Sequence, residues 1–426
     1  MSTTASRPIL GSMSSSRPTS RLRALLCGAV LATIAVPRVA AQGADAVFPI
    51  TRDSAFSMAL ANGSRAALAG AAARSASARA RAAGAFANPI LAAAYSKSVP
   101  QYHAIVDIPL DFITLRGLRI ASARSASEAA LLRLEFERAA IRLDVDTAYT
   151  IAAARRARAS LSLRNAADAE SLLVVASVRR SAGDASDLDV DVASINAGRA
   201  RNVAASDSAD AISSVLELQQ LLGYRASDAA IAIADSLDIP PATSNATLAD
   251  TVPLQVAAAR RDLLSAEQLV ALERRSIWSG LALQAGVESH DPTGTERGLL
   301  PTVGVSVPLP LFNQGRGSVA VAEAERDRAR VELAAAERAS AALLAKARRD
   351  LATSSARVAR DRSLVETANR VARRSLQAYA EGAYPLTTVL EAQRNARDAL
   401  AALIDDLVAA NAAMAALRLY NGAFTP

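Results

Sequence analysis

Few side chains in this sequence are of the kinds that perform covalent chemistry. There are two histidines, His103 and His290, and one cysteine, Cys27. Both histidines fall in segments read as loops between short strands. Two imidazoles in one place can ligate a metal, but no carboxylate or thiol spacing around them completes a set, so exposed loop residues are the reading. No Ser/His/Asp set, phosphate loop or carboxylate pair stands out, which closes several common catalytic routes and predicts no cofactor. The remaining functional candidates are polar residues at regular spacing. Asp107, Gln284 and Glu288 lie on the polar side of alternating strands and read as lining of a wet channel. Asp184, Asp187 and Asp191 follow steps of three and four, and share one face if the helix after Gly183 begins near Ala185. Rings of carboxylates favour cations in a pore; a solvated first turn that favours the helix dipole, partly paired with Arg179 and Arg180, is the plainer account.

The elements that position these residues are long helices and short strands. Val303, Val305, Val307 and Leu309 alternate with Thr302, Gly304, Ser306 and Pro308, the period of a strand between two media. Phe312–Gly315 turn the chain, and a helix pattern from Arg316 to Gly382 would reach about 100 Å. In the strand Ile277–Glu288, Leu281, Leu283, Ala285 and Val287 oppose Ala282, Gln284, Gly286 and Glu288. Strands Ile90–Lys97 and Ala104–Leu110 flank a loop, Ser98–His103, and are less clean. Tyr95, Tyr102, Phe112, Trp278 and Phe312 cluster at strand ends, where an interfacial aromatic girdle would lie.

The same order is written twice: helix, two strands, long helix, Gly turn, return helix. Asp53 and Ser54 are expected to cap a helix to about Gly84. Long helices run from about Leu118 to Ser181 and from Arg316, with return helices Asp187–Leu222 and onward to Tyr420. Pro109 and Pro308, Gly183 and Gly382, and Gly223 and Gly422 all stand 199 residues apart, which predicts an internal duplication. Leu344, Leu351, Val358, Val365, Ala372 and Tyr379 recur every seven residues. Leu386, Val389, Gln393, Ala396, Leu400, Leu403, Leu407, Ala410, Met414 and Leu417 fill steps of three and four, the spacing of a coiled coil. The organisation expected is 1–41 leader, 42–223 first repeat, 224–252 irregular connector containing Pro240-Pro241, and 253–426 second repeat, with Pro253 in a first helical turn.

Composition agrees. Hydrophobic residues make up 51% of the chain but aromatics only 4%, which suits close helix packing. The formal charge of +7 invites a nucleic-acid reading, yet five arginines and no acids lie in the first 41 residues. Without them 43 basic residues face 41 acidic ones, so no nucleic-acid partner is expected. That segment has the form of a secretory signal: Arg21 and Arg23, the uncharged run Ala24–Val36, then Val39-Ala40-Ala41, with cleavage expected after Ala41. Leu26 before Cys27 argues against a lipid anchor, and a chain cut there keeps no cysteine. No later stretch of about 18 strongly apolar residues is found, so no transmembrane helix is expected. Four strands cannot close a barrel, and membrane strands cannot leave edges unpaired, so strands in lipid require several chains.

Pro308-Leu309-Pro310-Leu311-Phe312-Asn313-Gln314-Gly315 resembles the strand-to-helix junction of the TolC family of outer-membrane efflux channels, most closely its CzcC-like heavy-metal branch. Arg261-Asp262-Leu263 through Glu267 is similar to the opening of that family's second half, with Arg260-Arg261 where Arg-Pro is usual. Gly382, Leu386, Val389, Leu390, Glu391, Ala392 and Gln393 resemble its helical tip, as Asn88-Pro89 does the start of its first strand. At the first tip Gly183 and Leu188 hold, but the acidic residues after them depart from the family. The resemblance implies a mainly α fold with β. Long antiparallel coiled-coil helices would form an α-barrel, and four transmembrane strands per protomer would enter a shared, trimeric twelve-stranded β-barrel. It also implies a homotrimer in outer-membrane lipid, a periplasmic adaptor docked at the tips (Gly183, Leu188, Gly382, Tyr384, Leu386), an inner-membrane pump supplying energy, and no catalysis. The alternatives are a periplasmic adaptor, which would show one hairpin interrupting β-rich domains, and a structural coiled-coil protein, which has no reason for strands at both helix openings.

Overall fold

The computed structural model describes residues 48–224, 231–238, 252–289 and 298–421. The expected leader, Pro240-Pro241, His290 and Gly422 lie outside them. Helix dominates. The 66-residue α4 (Arg116–Ser181) and the 35-residue α5 (Asp187–Leu221) form one antiparallel hairpin. The 65-residue α7 (Arg316–Ala380) and the 35-residue α8 (Leu386–Tyr420) form the other. Each long helix spans about 100 Å. Two shorter helices, α2 (Ser64–Ala83) and α6 (Leu254–Arg275), run alongside the ends that the return helices leave bare, α2 on α4 and α6 against both α4 and α7. All of this belongs to one compact unit.

The expected heptad positions of α7 face α8: Val358 and Tyr379 are buried and Leu344, Leu351, Val365 and Ala372 partly so. A second seam interleaves with it. Ser340, Ala347, Ser354 and Ser375 are buried, and Asp361 and Ala368 partly covered, again every seven residues. Small side chains there let the helices approach, and the Ser354 and Ser375 hydroxyls are satisfied by donating to the carbonyls of Asp350 and Val371, each at 2.7 Å.

Among the described residues one helix has the length and composition of a membrane crossing, contrary to expectation: α8, with a window of mean hydropathy 1.6. Its apolar residues serve helix packing instead. Leu407 and Ala410 join Val358 in a buried cluster. Asp405 and Asp406 on the same helix bind Arg158 of α4 at 2.6 Å and Arg357 of α7 at 2.7 Å.

Three further expectations are corrected. The first helix is broken: Thr51, with Ser54, caps α1 (Arg52–Asn62), and Gly63 separates it from α2, because a β-carbon there would meet the Ala59 carbonyl oxygen at 2.3 Å. The connector is not wholly irregular, since β4 (Ile231–Ile233) pairs in parallel with β1 (Phe48–Ile50). This small sheet is pinned to the hairpin by the buried Tyr149 hydroxyl, which lies 2.9 Å from both the Ile50 carbonyl and Asp235 Oδ2. Pro253 caps α6 from just outside rather than occupying its first turn.

The remaining strands form one antiparallel sheet ordered β2 (Ile90–Tyr95), β3 (Tyr102–Pro109), β5 (Ala282–Ser289), β6 (Leu300–Ser306). Residues 277–281 are not strand: a 3-10 turn, Ser276–Trp278, precedes β5. β6 stops at Ser306, short of the prolines. A four-residue turn of helix, α3 (Asp111–Thr114), joins β3 to α4.

Candidate functional site: the sheet face and the helical tips

The register of the sheet sets which residues share a face. Asp107 pairs with Gln284, which pairs with Gly304; two layers away on the same face, beyond the row Ile105–Gly286–Thr302, His103 pairs with Glu288, which pairs with Leu300. The three polar residues proposed from sequence therefore stand together on one face. Gln284 Nε2 donates to Asp107 Oδ1 at 2.8 Å. Glycine keeps this face low: a β-carbon on Gly286 would stand 2.7 Å from the Ala104 carbonyl oxygen and 3.0 Å from Ile105 Cγ1.

His103 corrects the sequence reading. It lies within β3, not in a loop, and its Nδ1 is 3.4 Å from Glu288 Oε1. The carboxylate that local spacing did not provide comes from a strand 185 positions further on, so no window of sequence contains the pair. Among the described residues no group of three or more such side chains forms a metal site.

The opposite face carries Val303, Val305, Leu283, Val287 and Leu91. Val303 at 78%, Leu91 at 69% and Val305 at 60% are more exposed than Asp107, Gln284 and Glu288, which are half-buried. A soluble sheet shows the reverse order, and contiguous exposed apolar surface marks a contact with something else. β2 and β6 are each paired on one side only, leaving two open edges. Aromatic rings mark both ends of the strands. Tyr95 and Tyr102 stand 5.3 Å apart at one end. Phe86 and Phe112, 6.3 Å apart, and the exposed Trp278 and Phe312 lie at the helix end. From Tyr102 to Pro109 the strand covers about 24 Å, close to the apolar band of about 25 Å on a membrane barrel.

At the other end of the molecule the hairpins close in two turns of one design. Gly183 (φ 85°) and Gly382 (φ 79°) are left-handed, as the sequence predicts for both. The Asp184 N–H donates to the Arg179 carbonyl and the Ala383 N–H to the Ala378 carbonyl, each at 2.8 Å. This is the Schellman arrangement, which satisfies carbonyls at a helix end and favours glycine. Beyond the first turn Ser186 caps α5, bonding the Asp189 N–H at 3.2 Å while Asp189 Oδ2 accepts from the Ser186 N–H at 3.2 Å.

The helix therefore starts at Asp187, as expected, and the start near Ala185 that one face for all three aspartates requires is not met. Asp187 and Asp191 share a face, but Asp184 sits in the turn and the threefold spacing does not make one row. Asp187 is ion-paired with Arg180. Leu188 and Tyr384 are exposed, whereas Leu386 is buried with Leu172, Ala176, Ala193, Tyr379 and Val389 in a cluster joining both hairpins.

Arg179, assigned no more than a pairing role from sequence, connects the tips. Its Nη1 donates to the Tyr379 carbonyl at 2.9 Å and its Nη2 to the Asp184 carbonyl at 3.1 Å. Its guanidinium lies 4.7 Å from the centroid of the Tyr379 ring. The Tyr379 hydroxyl is buried and has no hydrogen-bond partner among the described residues.

No protein-family model and no curated protein matches this chain. Solved structures do. The outer-membrane channel OprN superposes with a TM-score of 0.72 at 18% identity, over 88% of this chain and 90% of that one. The transmembrane channel CusC superposes with a TM-score of 0.72 at 14% identity, over 88% and 93%. The outer membrane protein VceC from Vibrio cholerae gives 0.70 at 18% identity, over 87% and 96%. The chain has the fold of these channels, over nearly their whole length.

Proposed function

We propose that this chain is a TolC-family outer-membrane channel, the passive conduit of a tripartite export system. One observation carries the reading: a four-stranded sheet with its apolar residues outermost and both edges open, mounted on two helical hairpins about 100 Å long. An open edge in lipid leaves backbone groups unsatisfied, so the sheet must be closed by further copies. Four strands from each of three protomers would give a twelve-stranded barrel, an assembly implied by the sequence resemblance and compatible with the channel fold.

In this assembly Asp107, Gln284, Glu288 and His103 line the lumen, and the valine face meets lipid. The mature protein begins at Gln42 after removal of residues 1–41. The paired lengths of α4 with α7 and α5 with α8, and the matching left-handed glycines, support two repeats at 42–223 and 253–426 joined by 224–252. A periplasmic adaptor docks at the tips, where Leu188 and Tyr384 are exposed, and an inner-membrane pump supplies the energy. No residue acts as a catalyst and no cofactor is needed. The cargo class suggested by the CzcC-like junction is heavy-metal cations, and the acidic first tip agrees with a cation path.

The test is reconstitution of the full chain. Recovery from the outer-membrane fraction as a trimer starting at Gln42, conducting ions in a planar bilayer, is the expected result. A soluble periplasmic monomer would refute the reading.

A further inference from the structure

The four junctions between sheet and helices all lie at one end of the sheet, and arginines gather there. Arg79 and Arg81 are in the last turns of α2, Arg116 and Arg119 in the first turn of α4, Arg274 and Arg275 end α6, and Arg316 begins α7. No lysine is among them. At the far end of the strands the described residues hold Lys97, and Arg297 of the segment joining β5 to β6 lies outside them.

Three of the seven have local work. Arg116 and Arg119 cap the end of α2, donating to the carbonyls of Gly84, Ala83 and Ala85 at 2.8–3.0 Å, and Arg119 also binds Asp111 at 3.1 Å. Arg274 binds Glu323 at 2.7 Å. Arg79, Arg81, Arg275 and Arg316 are exposed and have no acidic partner among the described residues. In the chain they lie three to seven residues from Phe86, Trp278 and Phe312, exposed aromatic residues at this end of the sheet. The start of α7 is close to the turn that carries Trp278, since a β-carbon on Gly315 would lie 3.3 Å from Ile277 Cγ2.

Guanidinium groups present a fork that matches phosphate oxygens, and an aromatic ring beside an apolar band marks the depth of the headgroups. We propose that Arg79, Arg81, Arg275 and Arg316 form a collar that binds the phosphates of anionic phospholipids in the leaflet facing the helices. The collar recruits these lipids around the channel and sets the depth at which the sheet sits. The inference rests on the membrane reading above and adds a ligand class to it. Each basic residue near an anionic surface contributes about a fivefold enrichment, so four make the site strongly selective over zwitterionic lipid.

Trp278 is the only tryptophan in the chain and lies at the collar, so it is a built-in probe. The full-length channel is reconstituted in vesicles of equal parts phosphatidylglycerol and phosphatidylcholine, with bromine on the acyl chains of one lipid or the other. The expected result is stronger quenching of Trp278 by brominated phosphatidylglycerol, falling towards equality with added salt and in the variant R79Q/R81Q/R275Q/R316Q. Salt titration of the unaltered protein supplies the same comparison if the variant misassembles. Equal quenching by both lipids in the unaltered protein overturns the collar and leaves the membrane reading standing. A preference that persists in the variant overturns the assignment to these arginines. Absence of quenching by either lipid overturns the membrane reading and the collar together.

Discussion

Replacing Arg179 by Gln should loosen the two tips from each other while leaving the hairpins intact. The guanidinium makes one charge-assisted hydrogen bond across the tips, to the Tyr379 carbonyl, a second within its own turn, to the Asp184 carbonyl, and a stacking contact on Tyr379. Hydrogen bonds involving a charged group contribute about 1.5–3 kcal/mol each, and an exposed cation–π contact about 0.5–1 kcal/mol. The site is partly exposed and only one of the bonds crosses, so a loss of about 1–2 kcal/mol in tip closure follows. That is a rise of about 5- to 30-fold in the local opening equilibrium. Hydrogen exchange measured on peptides covering 178–188 and 377–387 should show it, because the Asp184 and Ala383 amides report the two turns directly. Peptides from the middle of α4 and α7 should not change, since that contact is far from their packing. Arg179→Lys should fall between the two, keeping the charge and losing the fork. If a channel, the variant should also show more open time in a planar bilayer. Unchanged exchange in both turns would mean that the cluster around Leu386 and Val389 holds the tips unaided, and the role assigned to Arg179 would be wrong.

Gly382→Val should cost about 1–2 kcal/mol in backbone strain at φ 79°, while its β-carbon has room at 3.6 Å from the Arg179 side chain. The assembled protein should keep its melting temperature but lose adaptor cross-linking and export, and normal export would show that turn geometry is unimportant. Burial and the neighbouring Asp406 carboxylate raise the Asp361 carboxyl above its ordinary value. The folded state therefore holds this proton more tightly than the unfolded chain, and stability falls as pH rises from the usual carboxylate range through the raised value. Asp361→Asn should remove that part of the pH dependence and stabilise the protein at neutral relative to acidic pH; identical melting profiles against pH would count against the pair. Changing Asp184, Asp187 and Asp191 together to Asn should move reversal potentials towards non-selectivity, most at low salt. Asp187→Asn alone should do little, because Arg180 already neutralises it.

Much of this architecture was legible in the chain because its signals are local and repeated. A heptad along α7 and a glycine at each tip need only neighbouring residues to be read, and both stand where expected. The polar side of β5 was readable for the same reason, since alternation in eight residues decides the face. Resemblance at Arg261-Asp262-Leu263 pointed to a family without saying what the residues do. The structure shows Arg261 at 3.2 Å from Glu128, Asp262 paired with Arg133, and Ser265 bonded to Ser122, all on α4, so the motif docks α6. What escaped was distant in sequence or polar where apolar was sought. The parallel pairing of β1 with β4 joins segments 183 residues apart. The serine seam of α7 was invisible to a search for hydrophobic repeats. One face for Asp184, Asp187 and Asp191 requires a helix from near Ala185, and the capping box of Ser186 and Asp189 starts it at Asp187.

The exposed surface says why these hairpins do not complete a fold alone. α8 uses both flanks, one on α7 and one on α4, and its apolar residues are largely covered. On α7, Val321 and Val331 are each 65% exposed, and Leu364 and Val371 also face outward. The four lie on the helix along with the ion pairs Arg328–Glu332 and Arg326–Asp327, so this flank is mixed rather than purely apolar. Exposed ion pairs add little by themselves, and scattered apolar side chains between them suit an interface more than bare solvent. On the membrane reading proposed above, the sheet edges make the same demand in stronger form, because unpaired strand groups in lipid have no water to turn to. A protomer that leaves both its helical flank and its strand edges unsatisfied gains from assembly along its whole length. In the assembly proposed above, closing the strand edges and packing the helical flanks would be one event, and a substitution on either surface should be read first as a change in assembly.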